Sequence, residues 1–407
     1  MKNKRNFPVF AVTPKAEKSI KNGHPWVYGE EVTATLGEVT NGCLADVMSQ
    51  KGSYLGTGFV STESKIRIRI LSDNANETFG DAFFLRRLKY AVDYRKTVMG
   101  DDFSCCRLVF GEADGLPGLT IDRFGDILVS QVLSFGMDKI KNSIYCGIVD
   151  ILRDMGETIN GLYERNDVAI RKLEGLTEYK GWYEGIPHPD STVTEIIENG
   201  IKYTVDFENG QKTGFFLDQK YNRLAIQKIA KGRKVLDCFT HTGSFALNAA
   251  KGGAEKVTAV DISEAAAKMA ESNAVLNNLQ GNMEFLAADV FDLLPSLEKN
   301  GGKPYDFIIL DPPAFTKSRK TVASAERGYK EINYRAMKLL PRGGYLATCS
   351  CSHFMRNDLF EKMLLSAAKD AGVELKQIEV RQQCCDHPIL WNVPETNYLK
   401  FYIFQIV

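Results

Sequence analysis

Between Lys234 and Ser350, short runs of buried-type residues alternate with helical patterns, and this alternation constrains the chain more than any other feature. Lys234-Val235-Leu236-Asp237, Lys256 to Asp261, Asn282 to Leu286, Tyr305 to Leu310 and Gly344 to Ser350 read as strands. Gly243 to Gly252 and Ser263 to Asn277 read as helices, the second capped by Ser263 with Glu264 in its first turn. Strands separated by helices predict a parallel, doubly wound sheet. Open sheets of this kind bind ligands beyond the carboxyl ends of their strands. The residues that follow each strand are therefore the ones to read for function.

The first such turn is Asp237-Cys238-Phe239-Thr240-His241-Thr242-Gly243. A dinucleotide fold needs G-x-G-x-x-G here, so that the backbone can approach a pyrophosphate. This turn has one glycine and an acid, which repels phosphate but suits an ammonium. Twenty-four residues after Asp237 the second strand ends at Asp261, placed for a ribose diol. Together these favour S-adenosylmethionine over a dinucleotide. The candidate cofactor-binding residues are Asp237, Phe239, Thr240, Gly243, Asp261, Ile262, Asp289, Asp311 and Pro312. Asp289 suits the adenine amino group, and also a helix N-cap; the two roles are compatible.

Asp311-Pro312-Pro313-Ala314-Phe315 ends the fourth strand, and Thr348-Cys349-Ser350-Cys351-Ser352 ends the next. Two prolines remove two backbone donors and fix the chain direction, exposing Asp311 and its neighbouring carbonyls. In amino-group methyltransferases a similar turn holds an exocyclic amine, with an aromatic such as Phe315 stacking on the base. The cysteines point instead to a ring carbon. C5 of cytosine becomes nucleophilic only after a thiolate adds to C6. Cys351, nearer the exposed end, is the expected nucleophile, with Asp311 protonating N3. Cys349, two residues earlier on the same strand, is expected to share its direction and to be buried.

The rest of the chain sets the context. Its 407 residues suggest two or three domains, and a formal net charge of zero leaves nucleic-acid binding to local patches. Nine cysteines without a C-x-x-C pair read as reduced thiols, and no metal site is expected. No apolar run is long enough for a membrane span. The basic start, Met1-Lys2-Asn3-Lys4-Arg5, lacks a following apolar segment, so a cytoplasmic location is expected.

Residues 1–73 read as a β-rich module with strands Val39 to Met48, Tyr54 to Val60 and Ile66 to Leu71. In Lys65-Ile66-Arg67-Ile68-Arg69-Ile70 the alternation places Arg67 and Arg69 on one face, as candidates for phosphate contact. Residues 74–190 read as a mixed α/β middle domain, and residues 191–407 as the cofactor-binding domain. A second basic run lies between the two motifs of the proposed active edge. Residues 316–342 hold eight Lys or Arg against two Asp or Glu, and Lys317, Arg319 and Lys320 are the candidates to track a phosphate backbone.

Longer stretches carry a resemblance. Gly23-His24-Pro25-Trp26-Val27, Asp114-Gly115-Leu116-Pro117-Gly118-Leu119, Gly214-Phe215-Phe216-Leu217-Asp218-Gln219, Arg327-Gly328-Tyr329-Lys330-Glu331-Ile332-Asn333 and Ser350-Cys351-Ser352 are similar to the bacterial large-subunit rRNA cytosine-C5 methyltransferases with an N-terminal PUA domain. The resemblance covers nearly the whole chain. It implies a PUA domain for RNA docking, a small mixed α/β middle domain and a class I, Rossmann-like methyltransferase domain. It further implies 23S rRNA as partner and the Ser-Cys-Ser cysteine, Cys351, as nucleophile; a homodimer is left open. Cys349 stands where the family commonly has an aromatic residue. Position 314 is alanine, where related RNA cytosine methyltransferases have a second cysteine that assists product release. Two other readings remain: an RNA amino-group methyltransferase, and a non-catalytic RNA-binding or assembly protein.

Overall fold

The computed structural model describes residues 5–316 and 318–407. They form two compact units, each discontinuous in sequence. The first comprises Met1–Ile196, Val205–Leu217 and Cys385–Thr396; the second comprises Ile197–Thr204, Asp218–Cys384 and Asn397–Val407.

The first unit contains two sheets. Six strands lie in the order Trp26–Tyr28, Ile66–Ser72, Tyr54–Val60, Leu44–Ser49, Val9–Val12 and Val32–Leu36. Their core holds Phe10, Val12, Val27, Val47, Val60 and Ile68. Three of these strands lie outside the sequence expectation, because segments of three to five residues carry too little alternation to register. So does the helix Pro14–Lys21, capped by the Thr13 hydroxyl, which accepts from the Ala16 N–H at 3.3 Å. The second sheet orders Tyr179–Trp182, Gly161–Asn166, Ile127–Val132, Leu119–Phe124 and Cys105–Phe110. Helices Asp81–Met99 and Phe135–Asp154 accompany it.

One expectation in this unit needs correction. Arg69 is buried, and its guanidinium makes a bidentate pair with Glu174, at 2.7 and 3.2 Å. It is not offered to a phosphate. The alternation Lys65 to Ile70 does not mark one uniformly solvated face: Lys65 is exposed, Arg67 partly buried, and Arg69 buried against Glu174. Arg67 is partly buried and donates to the Ser61 carbonyl at 2.8 Å.

The second unit is built on seven strands: Lys234–Cys238, Lys256–Asp261, Met283–Ala287, Phe307–Leu310, Tyr345–Ser350, Leu375–Arg381 and Lys400–Ile406. Numbered in chain order, they lie 3-2-1-4-5-7-6 across the sheet. The first five pair in parallel, as the strand–helix alternation predicts; the last inserts antiparallel beside Tyr345–Ser350. Alternate side chains feed two cores. Leu236, Val260, Ile308, Leu310 and Leu346 meet Tyr329, Ile332 and Met363 of helices Val322–Leu339 and Asn357–Ala371. Val235, Val257, Ile309 and Cys349 meet Ala225, Ile226, Ala246 and Ala249 of helices Lys220–Ala230 and Ser244–Lys251. Both faces of the sheet are covered, so chemistry is left to its edges.

Candidate active site

The turn after the first strand is wound around Asp237. This carboxylate is fully buried; one oxygen accepts from the Thr240 hydroxyl at 2.5 Å and from the Ala246 N–H at 2.9 Å. Phe239, His241 and Gly243 all have positive φ, at 67°, 50° and 79°. Two non-glycine residues in that region represent stored backbone strain, which clusters at functional turns. Gly243 also admits no side chain, since a Cβ there would stand 2.9 Å from that of Ala270. At the next strand end, Asp261 accepts backbone N–H groups from His241 at 3.0 Å and Ser263 at 2.9 Å, one on each oxygen. Asp289 caps the helix Val290–Lys299 through the Phe291 N–H at 2.8 Å. Ile262 is 71% exposed, and Phe239 packs partly buried against the core.

These residues suit S-adenosylmethionine. The second oxygen of Asp237 is buried and has no partner among the described residues. A buried acceptor without a donor is costly, and an ammonium would satisfy it. Burial pushes the Asp237 carboxyl up to about 7, with Asp311 and Asp261 adding to the effect against the Thr240 and Ala246 donors. Each Asp261 oxygen keeps acceptor capacity beyond its backbone bond, enough for a ribose diol.

Asp311 follows the fourth strand and accepts from the Gln219 amide at 3.0 Å. Gln219 is held in turn by Asn222, whose amide donates to it at 2.6 Å. Burial first, and then Asp218, raises the Asp311 carboxyl to about 7, against Arg223, Cys349 and Gln219. Pro312 is buried and Pro313 exposed.

The two thiols differ sharply. Cys349 is fully buried in the core, and burial first, with Asp311 adding to it, raises it well above the usual thiol range. Cys351 is only partly buried, with its sulfur 4.0 Å from the Pro312 carbonyl oxygen. The strand ends at Ser350, so Cys351 lies on the following loop. The expectation that both cysteines lie on the strand is thereby corrected for Cys351. Burial pushes the Cys351 thiol up to about 12, Asp311 and Asp218 add to this, and Lys400 opposes them.

Sequence alone does not disclose several residues here. Asp218 and Gln219 stand out only within a longer motif, and Arg223 and Lys400 carry no signal. Arg223 is buried, paired with Glu198 at 2.7 Å, and donates to the Ser244 hydroxyl at 3.2 Å. Phe315 packs on Tyr329, ring centroids 4.6 Å apart, and on Phe291 at 5.8 Å.

Of the basic run, Lys317 lies outside the described residues. Arg319 and Lys320 are exposed in a short 3-10 turn, and Arg327 and Lys338 are exposed on the helix that follows. Lys330 and Arg335 are partly neutralised, by Asp370 at 2.7 Å and by Glu298 and Glu331 at 2.6 and 2.8 Å. Among the described residues no cluster of three or more His, Cys, Asp or Glu could hold a metal ion, and no helix is long and apolar enough to cross a membrane.

Comparison with known proteins agrees with this geometry. The profile of a family described as S-adenosylmethionine-dependent methyltransferase matches residues 179–400, and that of a PUA-like domain matches residues 10–73. Ribosomal RNA large subunit methyltransferase I of Klebsiella pneumoniae (strain 342) is 39% identical over 403 residues, 98% of this chain and 99% of its own length. The protein of the same name from Aeromonas salmonicida (strain A449) is 42% identical over 386 residues, 94% of this chain and 96% of its own. Among solved structures, a Streptococcus mutans chain described as a SAM-dependent methyltransferase superimposes with a TM-score of 0.82 at 22% identity, covering 98% of this chain and 99% of that one. At that identity the likeness establishes the fold.

Proposed function

The chain belongs to the S-adenosylmethionine-dependent methyltransferases, here with a PUA-like domain, and from that premise we propose that it forms 5-methylcytidine in large-subunit ribosomal RNA through an adduct on Cys351. One observation carries the reading. A partly buried thiol lies against the Pro312 carbonyl, beside a carboxyl whose affinity for protons sits near neutrality.

The cofactor is S-adenosylmethionine, which supplies an electrophilic methyl group when bound. Asp237 would hold its ammonium, Asp261 its ribose and Asp289 its adenine edge, with Phe239, Thr240, Gly243, Ile262 and Pro312 lining the same site.

Cys351 supplies the attacking electron pair. At rest it is a thiol, so its proton must leave as the sulfur approaches C6. Asp311, near pH 7, populates both forms and can take that proton and deliver it to N3. The C6–S bond forms, the C5=C6 electron pair shifts toward C5, and N3 gains a proton. C5 is then enamine-like and able to accept a methyl group. Release needs loss of the C5 proton to solvent water, cleavage of the C6–S bond with its electron pair leaving on sulfur, and return of the N3 proton through Asp311 to the freed thiolate. Cys349, fully buried in the core, is not the attacking thiol.

For the RNA, we assign Arg319 and Lys320 to phosphate contact, with Lys317 beside them in sequence, and Arg67 as a minor contributor. The division of the chain at residues 73 and 190 remains part of this proposal, as does rRNA docking by the PUA-like domain. The amino-group alternative would use Phe315 to stack on a base, and that partly buried ring already packs against Tyr329 and Phe291.

Mass spectrometry of nucleosides from rRNA incubated with labelled cofactor tests the reading. Label in 5-methylcytidine is expected. Label on an exocyclic nitrogen, or none at saturating cofactor, would overturn it.

A further inference from the structure

Lys400 begins the last strand and is 3% exposed. Burying a lysine is costly unless its charge is matched. Its ammonium donates to two neutral carbonyls, Ser352 at 2.7 Å and Tyr398 at 2.8 Å, and forms no ion pair among the described residues. The strand register sets Lys400 opposite Ser350, so the side chain reaches forward to the residue just past Cys351. Ser352 is fixed from further directions. Its carbonyl also accepts from the Met355 N–H at 3.1 Å, and its hydroxyl meets the Tyr329 hydroxyl at 3.2 Å.

The acids acting on Cys351, Asp311 from the fourth strand end and Asp218 from the turn before helix Lys220–Ala230, repel a thiolate when ionised. Cys349 from the strand itself and Tyr329 from the helix behind are held neutral by burial. Lys400 is the cation opposing the acids, and the interaction is mutual: burial lowers Lys400 to about 8, and Cys351 opposes that shift.

We propose that Lys400 is a positioning residue for the nucleophile, its ammonium anchored on the Ser352 and Tyr398 carbonyls as the fixed counter-charge to the Cys351 thiolate. The reaction it serves rests on the carbon-methylation reading; its action on the thiol does not. The ion-pair partner missing from the resting structure is the thiolate that forms when substrate is attacked. Two carbonyl anchors hold the charge in place beforehand, so little reorganisation is needed at that moment.

The test follows alkylation of Cys351 by iodoacetamide against pH, with the modified peptide identified by mass spectrometry and no RNA present. Lys400→Gln keeps amide donors for the carbonyls and removes the charge. It should slow Cys351 alkylation about tenfold at about pH 7, where Lys400 still carries its proton, the effect of one pKa unit, while S-adenosylmethionine affinity stays unchanged. Lys400→Arg should restore the wild-type rate. The wild-type profile should also show an inflection near pH 8, where Lys400 loses its proton, and Lys400→Arg should lack it. This second measurement decides the matter if Lys400→Gln fails to fold. Identical profiles for wild type and Lys400→Gln, equal slowing in both variants, or an inflection that persists in Lys400→Arg would overturn the proposal. If Cys351→Ala retained methylation, the functional reading would fall while these profiles still tested Lys400.

Discussion

Two turns on the same sheet edge are built in opposite ways. The turn around Asp237 is assembled from its own sequence: the partners of that carboxylate, Thr240 and Ala246, lie three and nine residues on. The edge holding Asp311 and Cys351 is assembled from distant segments, with Gln219 ninety-two residues before Asp311 and Lys400 forty-eight residues after Ser352. A local turn can be preorganised as soon as its strand and helix form. A composite edge depends on the insertion of the last strand, and it can adjust a thiol and a carboxyl separately. Binding is assigned to the first and bond-making to the second.

The comparison breaks most sharply at the thiols. Cys351→Ala should abolish methylation and leave cofactor affinity intact, whereas Cys349→Ala should keep substantial activity. The latter should lose about 1 kcal/mol of stability from the vacated core position, measured by denaturant unfolding. Equal activity losses would mean that the core thiol and the loop thiol are not distinct in function.

At the cofactor turn, Asp261→Ala should weaken S-adenosylmethionine by about 1–3 kcal/mol in calorimetry, the usual cost of a charge-assisted hydrogen bond. Unchanged affinity would remove Asp261 from the ribose role. Asp237 sharpens the same point. An ammonium beside a carboxyl raised to about 7 lowers its proton affinity, so cofactor binding near neutral pH should release protons. Calorimetry in buffers of different ionisation enthalpy reads this release, and Asp237→Asn should suppress it.

Both turns contribute to a pH dependence in the free protein. Asp237 and Asp311 bind protons more tightly folded than unfolded, so between their ordinary range near 3.8 and about 7 the folded state carries more protons. Stability from these groups is therefore present at low pH and lost as pH rises through that window. Asp311→Asn should flatten this part of the profile; an unaltered profile would assign the slope elsewhere. The smallest effect is expected at the basic run. Replacing Lys317, Arg319 and Lys320 together should lessen the salt dependence of RNA binding, and an unchanged slope would make the run a solvated face.

The same contrast governs what the sequence disclosed. The parallel strands were legible because each is a run of buried residues followed by a patterned helix, and Asp237, Asp261 and Asp311 stand where those runs stop. The counter-charge at Cys351 was not, because the pairing of Ser350 with Lys400 joins segments fifty residues apart and neither carries a motif. Arg69 misled for a related reason. Alternation reports which residues share a face but not what covers it, and Glu174 covers this one from more than a hundred residues away.

The proposed mechanism turns on a covalent bond between Cys351 and C6 of cytosine. RNA containing 5-fluorocytidine at the target should arrest the enzyme after methyl transfer, because fluorine at C5 cannot leave as a proton. Mass spectrometry of the trapped complex should recover one nucleotide-bearing peptide, modified at Cys351. Wild-type turnover on this RNA without any trapped adduct, or an adduct mapping to another residue, would contradict the account.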